Sequence, residues 1–175
     1  MKKQDISENL VNTVFLSLGS NLGNKILNLN KAKHLILDNN TEIIKTSNYY
    51  ETLSWPNKKF PKYINVVLKI STNLKPQALF VKLKEIEKLL GRVKATKNFP
   101  RTCDIDILDF NQKKINFITK KQKVIIPHPR LHKRSFVLLP LYEISKAWTH
   151  PKTNEKIPIL LSKIDVKELT TIKLI

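Results

Sequence analysis

Pro100-Arg101-Thr102-Cys103-Asp104-Ile105-Asp106-Ile107-Leu108 is the stretch on which the fold turns. From Asp104 to Phe110 it reads as a strand. Alternate strand side chains point the same way, so Asp104 and Asp106 share a face roughly 6–7 Å apart along the chain. Ile105 and Ile107 point into the opposite layer. Two adjacent carboxylates repel and raise each other's pKa unless a cation lies between them. Hard oxygen ligands at this spacing suit Mg²⁺, which takes one or two carboxylates plus substrate phosphates. A bare Asp-x-Asp also fits two solvated aspartates on an edge strand. The arginine beside it and the basic loop before it, RVKATKNFPRT, favour a nucleotide site.

Working outward, this strand is the fourth of a series. Val14 to Leu18, VFLSL, reads as a first buried strand. The turn LGSNLGN follows and holds two of the three glycines, the mark of a sharp bend or a close approach to a ligand. Asn24 or Asn21 can cap the next helix, where Leu27, Leu29, Ala32, Leu35 and Ile36 recur at helical spacing. Glu42 to Tyr50 reads as a second strand. Glu51 to Lys62, with two prolines, Trp55 and Phe60, reads as a loop. Tyr63 to Ser71, YINVVLKIS, is a β-branched third strand. Pro76 opens a helix with Leu79, Leu83, Ile86, Leu89 and Leu90 on one face, and Gly91 stops it. The order β-α-β-β-α-β predicts an α+β fold with a ferredoxin-like core, one sheet with both helices on one face. An extra hairpin is expected near Lys114 to Phe117, and a short helix from Arg134 to Ile144. The tail holds Pro151 and Pro158 and reads as irregular with short C-terminal helices. One domain over residues 1–175 is expected.

Composition narrows the class. The chain has 175 residues and 41% hydrophobic content, enough for one full core. The start, MKKQDISENL, has no apolar run behind its lysines, so no secretory signal is expected. No stretch reaches the ~20 apolar residues of a membrane-spanning helix. A single cysteine, Cys103, forms no internal disulfide and suits a reducing cytoplasm. The net charge of +18 hints at polyanions. Lysine, asparagine and isoleucine are abundant together, however, as AT-rich codons dictate. The four arginines, Arg92, Arg101, Arg130 and Arg134, cluster in one quarter of a chain that uses lysine elsewhere. A guanidinium grips phosphate as a planar fork, which a lysine cannot do.

Three segments, LGSNLG at Leu18 to Gly23, PRTCDIDIL at Pro100 to Leu108 and IPHPRLHKRSFVLLPLYEI at Ile126 to Ile144, occur in the order found in the 6-hydroxymethyl-7,8-dihydropterin pyrophosphokinases. The chain resembles that family from Val14 to about Pro158. The resemblance implies a ferredoxin-like core, two Mg²⁺ ions, and transfer of pyrophosphate from ATP to the pterin hydroxyl. It implies Asp104 and Asp106 as metal ligands. It puts the pterin at Thr52, Leu53, Trp55, Tyr63, Asn65 and Phe136, and ATP at Glu87, Arg92, Lys94, Arg101, Ile107, His128 and Arg134. Arg92, Arg101 and Asp106 are the expected catalytic groups. Tyr63 and Phe136 suit a sandwich around a flat bicyclic ring, and Asn65 can read its polar edge. The chain departs from the family at Lys97-Asn98, where an Arg-Trp pair is usual, in a slightly shorter basic loop, and at Leu53, where proline is common.

Other classes fit less well. No phosphate-binding G-x-x-x-x-G-K-[ST] motif is present. His128 and His132 are separated by Pro129 and lack a zinc-protease pattern. An RNA-binding module shares the element order but stacks bases on third-strand aromatics, and YINVVLKIS carries one aromatic without the glycine-aromatic pattern. The expected partners are ATP and the pterin, with no nucleic acid and no membrane, in a monomer. Trp148 and Tyr142 are expected in the core, and His34 of the first helix at the surface or its boundary.

Overall fold

The computed structural model describes residues 11–92, 99–119 and 122–175. Lys94, Lys97, Asn98 and the N-terminal stretch read for a signal lie outside them. The fold is mixed α/β, with an antiparallel sheet between helices. Strand β1 (Asn12–Ser20) runs through its centre, between β5 (Asp104–Phe110) and β4 (Tyr63–Thr72). The far edge of β4 pairs with two short strands, β2 (Thr41–Thr46) and β3 (Tyr50–Thr52). The chain ends in β8 (Lys173–Leu174), which pairs with β3.

The second strand read from the sequence, Glu42 to Tyr50, is two strands. Ser47 breaks it by putting its hydroxyl into the ladder, where Oγ accepts from Val67 N at 2.9 Å. The Glu143 carboxylate then takes Asn48 N at 3.1 Å, a donor that β4 would otherwise bind. A side chain can thus replace a ladder partner without leaving a buried group unpaired.

Helices α1 (Lys25–Ile36) and α2 (Pro76–Leu89) cover one face of the sheet. Leu29, Ala32 and Ile36 of α1 and Leu79, Leu83 and Ile86 of α2 pack there on Leu16, Leu18, Ile105 and Ile107. Leu27, Leu35 and Leu89 of the predicted faces are exposed and line a shallow depression between the helices. The cap of α1 is Asn24, whose Oδ1 accepts from Leu27 N at 3.1 Å.

The opposite face carries α3 (Ser135–Ile144) and α4 (Ile157–Ser162), over Phe15, Val67 and Leu108. Trp148 is buried there as expected, with Nε1 donating to Asp109 at 2.9 Å. The hairpin forms from β6 (Ile115–Ile118) and β7 (Lys123–Ile126). A single 3-10 turn, Leu131–Lys133, follows it. The tail is more regular than the prolines imply. Pro158 occupies the first turn of α4, where its missing N–H costs nothing. A one-turn helix α5 (Val166–Leu169) leads into β8.

Candidate active site

Across the sheet, the register lines up Asp104 of β5, Gly19 of β1, Asn65 of β4 and Tyr50 of β3. Residues directly opposite in antiparallel strands share a face. This row therefore lies on the α3 side, beyond the start of that helix. Gly19 is the low point between a carboxylate and an amide. A Cβ there would meet Asn65 Oδ1 at 3.2 Å and the Tyr63 ring at 3.5 Å. Glycine lets both side chains settle over the main chain, leaving a slot one strand wide.

One side of the slot is charged. Asp104 accepts from Arg92 Nη1 at 2.7 Å and from Arg101 Nη1 at 3.0 Å. Burial pushes its carboxyl up, but Arg92, Lys84 and Arg101 outweigh burial and hold it below the usual aspartate value. Asp106 faces Arg134 Nη1 at 3.4 Å and His128 Nε2 at 3.8 Å. The His128 Nδ1 accepts from Arg130 N at 3.1 Å, so the neutral ring carries its proton on Nε2, toward Asp106. Burial lowers the His128 pKa, and Asp106 opposes that shift. Each aspartate is thus matched by cations, and Thr102 Oγ1 beside them is buried without a protein partner among the described residues.

Glu87 is buried beneath this cluster. It accepts from Ile105 N at 2.6 Å and Lys84 Nζ at 2.7 Å, and pairs with Arg92. Its carboxyl is raised, first by burial. The Ile107 side chain is in the core. Its main chain faces the outer edge of β5, two residues on from Ile105, whose C=O and N–H face Lys84 and Glu87 there.

The other side of the slot is uncharged. Asn65 is buried and donates through Nδ2 to Thr52 Oγ1 at 2.9 Å and Tyr50 O at 3.3 Å. With both protons engaged, Oδ1 is left as an acceptor over Gly19. Tyr63 and Leu53 are half-buried, as is Phe136, whose ring lies 5.4 Å from the Arg134 guanidinium. Trp55 is 70% exposed and stands apart from the buried set.

Sequence reasoning passed over Asn21, weighed only as a helix cap. It is 1% exposed and ties three loops together. Its Nδ2 donates to Ser54 Oγ at 3.2 Å and Pro61 O at 3.3 Å. Its Oδ1 accepts from Arg101 N at 2.8 Å, and its own N donates to Arg101 O at 3.1 Å. The Phe60 and Phe99 rings, 5.6 Å apart, join the same two loops farther out. The signal available in the sequence was the burial implied by an asparagine inside LGSNLG.

The profile of the family described as 7,8-dihydro-6-hydroxymethylpterin-pyrophosphokinase (HPPK) matches residues 15–146. The chain belongs to the HPPK family. It is 43% identical over 139 residues to 2-amino-4-hydroxy-6-hydroxymethyldihydropteridine pyrophosphokinase of Aquifex aeolicus, covering 79% of this chain and 84% of that one. It is 41% identical over 160 residues to folic acid synthesis protein fol1 of Pneumocystis carinii, covering 90% of this chain but only 21% of the relative. A Plasmodium falciparum HPPK-DHPS crystal structure with pterin and p-hydroxybenzoate superposes with a TM-score of 0.78 at 19% identity. That match covers 97% of this chain and 48% of the other. This HPPK chain therefore spans a fraction of its fused relatives and most of the length of its separate ones.

Proposed function

We propose that the protein transfers pyrophosphate from ATP to 6-hydroxymethyl-7,8-dihydropterin, giving AMP and the pterin pyrophosphate, in tetrahydrofolate biosynthesis. The observation that carries this reading is the Asp104–Gly19–Asn65 row, which sets a charged half-site beside an amide-floored, aromatic-flanked slot. Family membership supports the same reaction. The sheet order β5-β1-β4, with β2 and β3 beyond, supports a ferredoxin-like core within a single domain.

Asp104 and Asp106 would hold Mg²⁺. Their oxygens are the hard donors it prefers, and they occupy alternate positions on one strand face. When bound, magnesium neutralises phosphate charge and fixes the β-phosphoryl group for in-line attack. Arg92, Arg101 and Arg134 converge on these carboxylates and are positioned to take phosphoryl oxygens. His128 offers Nε2–H in the same place, and the outer edge of β5 at Ile107 offers main-chain groups to the base. On the other side, Asn65 Oδ1 accepts an N–H from the pterin edge, while Tyr63 and Phe136 flank its ring. Excluding water while holding hydroxyl and phosphorus in line supplies most of the catalysis.

Incubation with ATP, Mg²⁺ and the hydroxymethyl pterin should yield AMP in step with the pterin pyrophosphate. Steady ADP with a monophosphorylated pterin would overturn the reading. Asp104→Ala and Asp106→Ala should each lower turnover about a hundredfold or more, the scale of losing a preorganised electrostatic contact. Full activity in either variant would remove the strand pair from the site.

A further inference from the structure

The family match ends at residue 146, yet the segment after it returns to the site twice. Ile164 packs on the α3 side of the core, and Asp165 caps α5 by accepting from Lys167 N at 2.9 Å. From α5, Glu168 Oε1 accepts the Ser135 hydroxyl. Ser135 is buried and begins α3, between Arg134 and Phe136. Beyond Glu168, β8 pairs with β3 in the register Tyr50↔Leu174 and Glu51↔Lys173, and Ile175 N donates to Tyr49 O at 2.9 Å. Strand β3 carries Thr52, whose hydroxyl, with Tyr50 O, binds both protons of the Asn65 amide.

The tail thus grips both walls of the uncharged slot. At one wall it holds the residue between Arg134 and Phe136. At the other it backs the strand that fixes Asn65. Without β8, β3 is a three-residue strand held on one side only, and short isolated pairings are marginal in water. Without Glu168, the Ser135 hydroxyl loses its acceptor at the point where the backbone turns from Arg134 into the helix.

We propose that residues 164–175 form a strap whose Glu168–Ser135 contact makes Glu168 a positioning residue for the pterin slot. The proposal rests on the function assigned above. It places Glu168 outside reach of any substrate, acting through Ser135 on Phe136. The slot for the ring depends on both anchors. The phosphate side depends on the tail through Arg134 alone, and Arg134 is also held by Asp106.

The test is pterin and ATP binding by calorimetry, with steady-state kinetics, for the full chain and for Glu168→Ala, Ser135→Ala, the double variant and Glu168→Gln. Loss of this part-buried contact, if it positions the ligand, should raise the pterin Kd about tenfold, ~1.4 kcal/mol. The ATP Kd should change less than the pterin Kd. The double variant should bind no worse than either single one, because both remove the same contact. Glu168→Gln keeps an acceptor oxygen and should restore wild-type affinity. Unchanged pterin affinity in folded Glu168→Ala and Ser135→Ala overturns the strap, as does failure of Glu168→Gln to rescue. A lower melting temperature with unchanged Kd, measured well below that temperature, assigns the contact to stability alone and also overturns it. If the wild-type chain itself makes no AMP from ATP and the pterin, the functional assignment fails instead.

Discussion

Asn21 uses every hydrogen-bonding group its amide has on backbone and side chain of other loops, with partners 33, 40 and 80 residues away. Such separations explain why its role is not legible in the sequence. A cap can be read from neighbours a turn away, whereas a junction depends on loops that meet only after folding. The aspartates were legible because strand alternation is local, and Asp104 and Asp106 do share a face. Their cations were legible only as a cluster of scarce arginines. Replacing Asn21 with alanine strands Arg101 N, while Ser54 Oγ keeps only its bond to Pro61 O, and leaving a buried group unpaired costs about 1–3 kcal/mol. Urea unfolding of Asn21→Ala should report a loss of that size, and pterin KM should rise as the loop around Ser54 loosens. A variant with wild-type stability and KM would show that the three loops hold without it.

At the scale of elements, the end of α2 sets the charged half-site. Gly91 has φ +82°, with its N–H on Lys88 O and Arg92 N on Glu87 O, each at 3.0 Å. This is the Schellman closure, which needs a left-handed residue at that position. It turns Arg92 back over Glu87 and Asp104 rather than onward into solvent. The stop itself was evident from glycine after a periodic run. The return of Arg92 was not, because it depends on the hand of the turn and on β5 lying beneath. A Cβ on Gly91 meets open space, so Gly91→Ala carries only the conformational penalty of about 1–2 kcal/mol. Equilibrium unfolding should show that loss, and Gly91→Asn a smaller one, since asparagine tolerates this region. Equal stability of all three proteins would mean that the turn relaxes freely. The split of β2 and β3 was equally hidden. TEIIKTSNYY has strand composition throughout, and only Glu143, far along the chain, reveals where the ladder yields.

For the whole molecule, the buried histidine and the buried carboxylates place opposite demands on pH. On the α3 side, His150 is buried and its Nδ1 accepts from Lys152 N and Thr153 N, each at 3.2 Å. That needs an unprotonated Nδ1, so Nε2 carries the proton of the neutral ring. Burial first, then the neighbouring His132, lowers its pKa, while Glu155 opposes the shift. A histidine depressed in the folded state adds stability above its unfolded pKa of about 6.5, and loses it as pH falls toward the folded value. Asp109 and Glu87, both raised by burial, act in the opposite sense: their contribution is present at low pH and lost as pH rises through their folded values. Comparison with a variant isolates the histidine. His150→Asn keeps an acceptor and removes the titration, so its melting temperature should fall less than that of wild type between pH 7 and pH 5. Parallel melting curves against pH would sink this account.

The two residues of β8 also decide what the sheet offers to other molecules. An uncovered β3 would present free main-chain groups at the rim, a template on which a second chain could add a strand. Instead the rim is covered by β8, which bears Lys173, a charge that discourages pairing with another strand. The same few residues therefore stand guard against self-association. Variants that unzip them should grow larger with concentration in light scattering, even where the core remains folded.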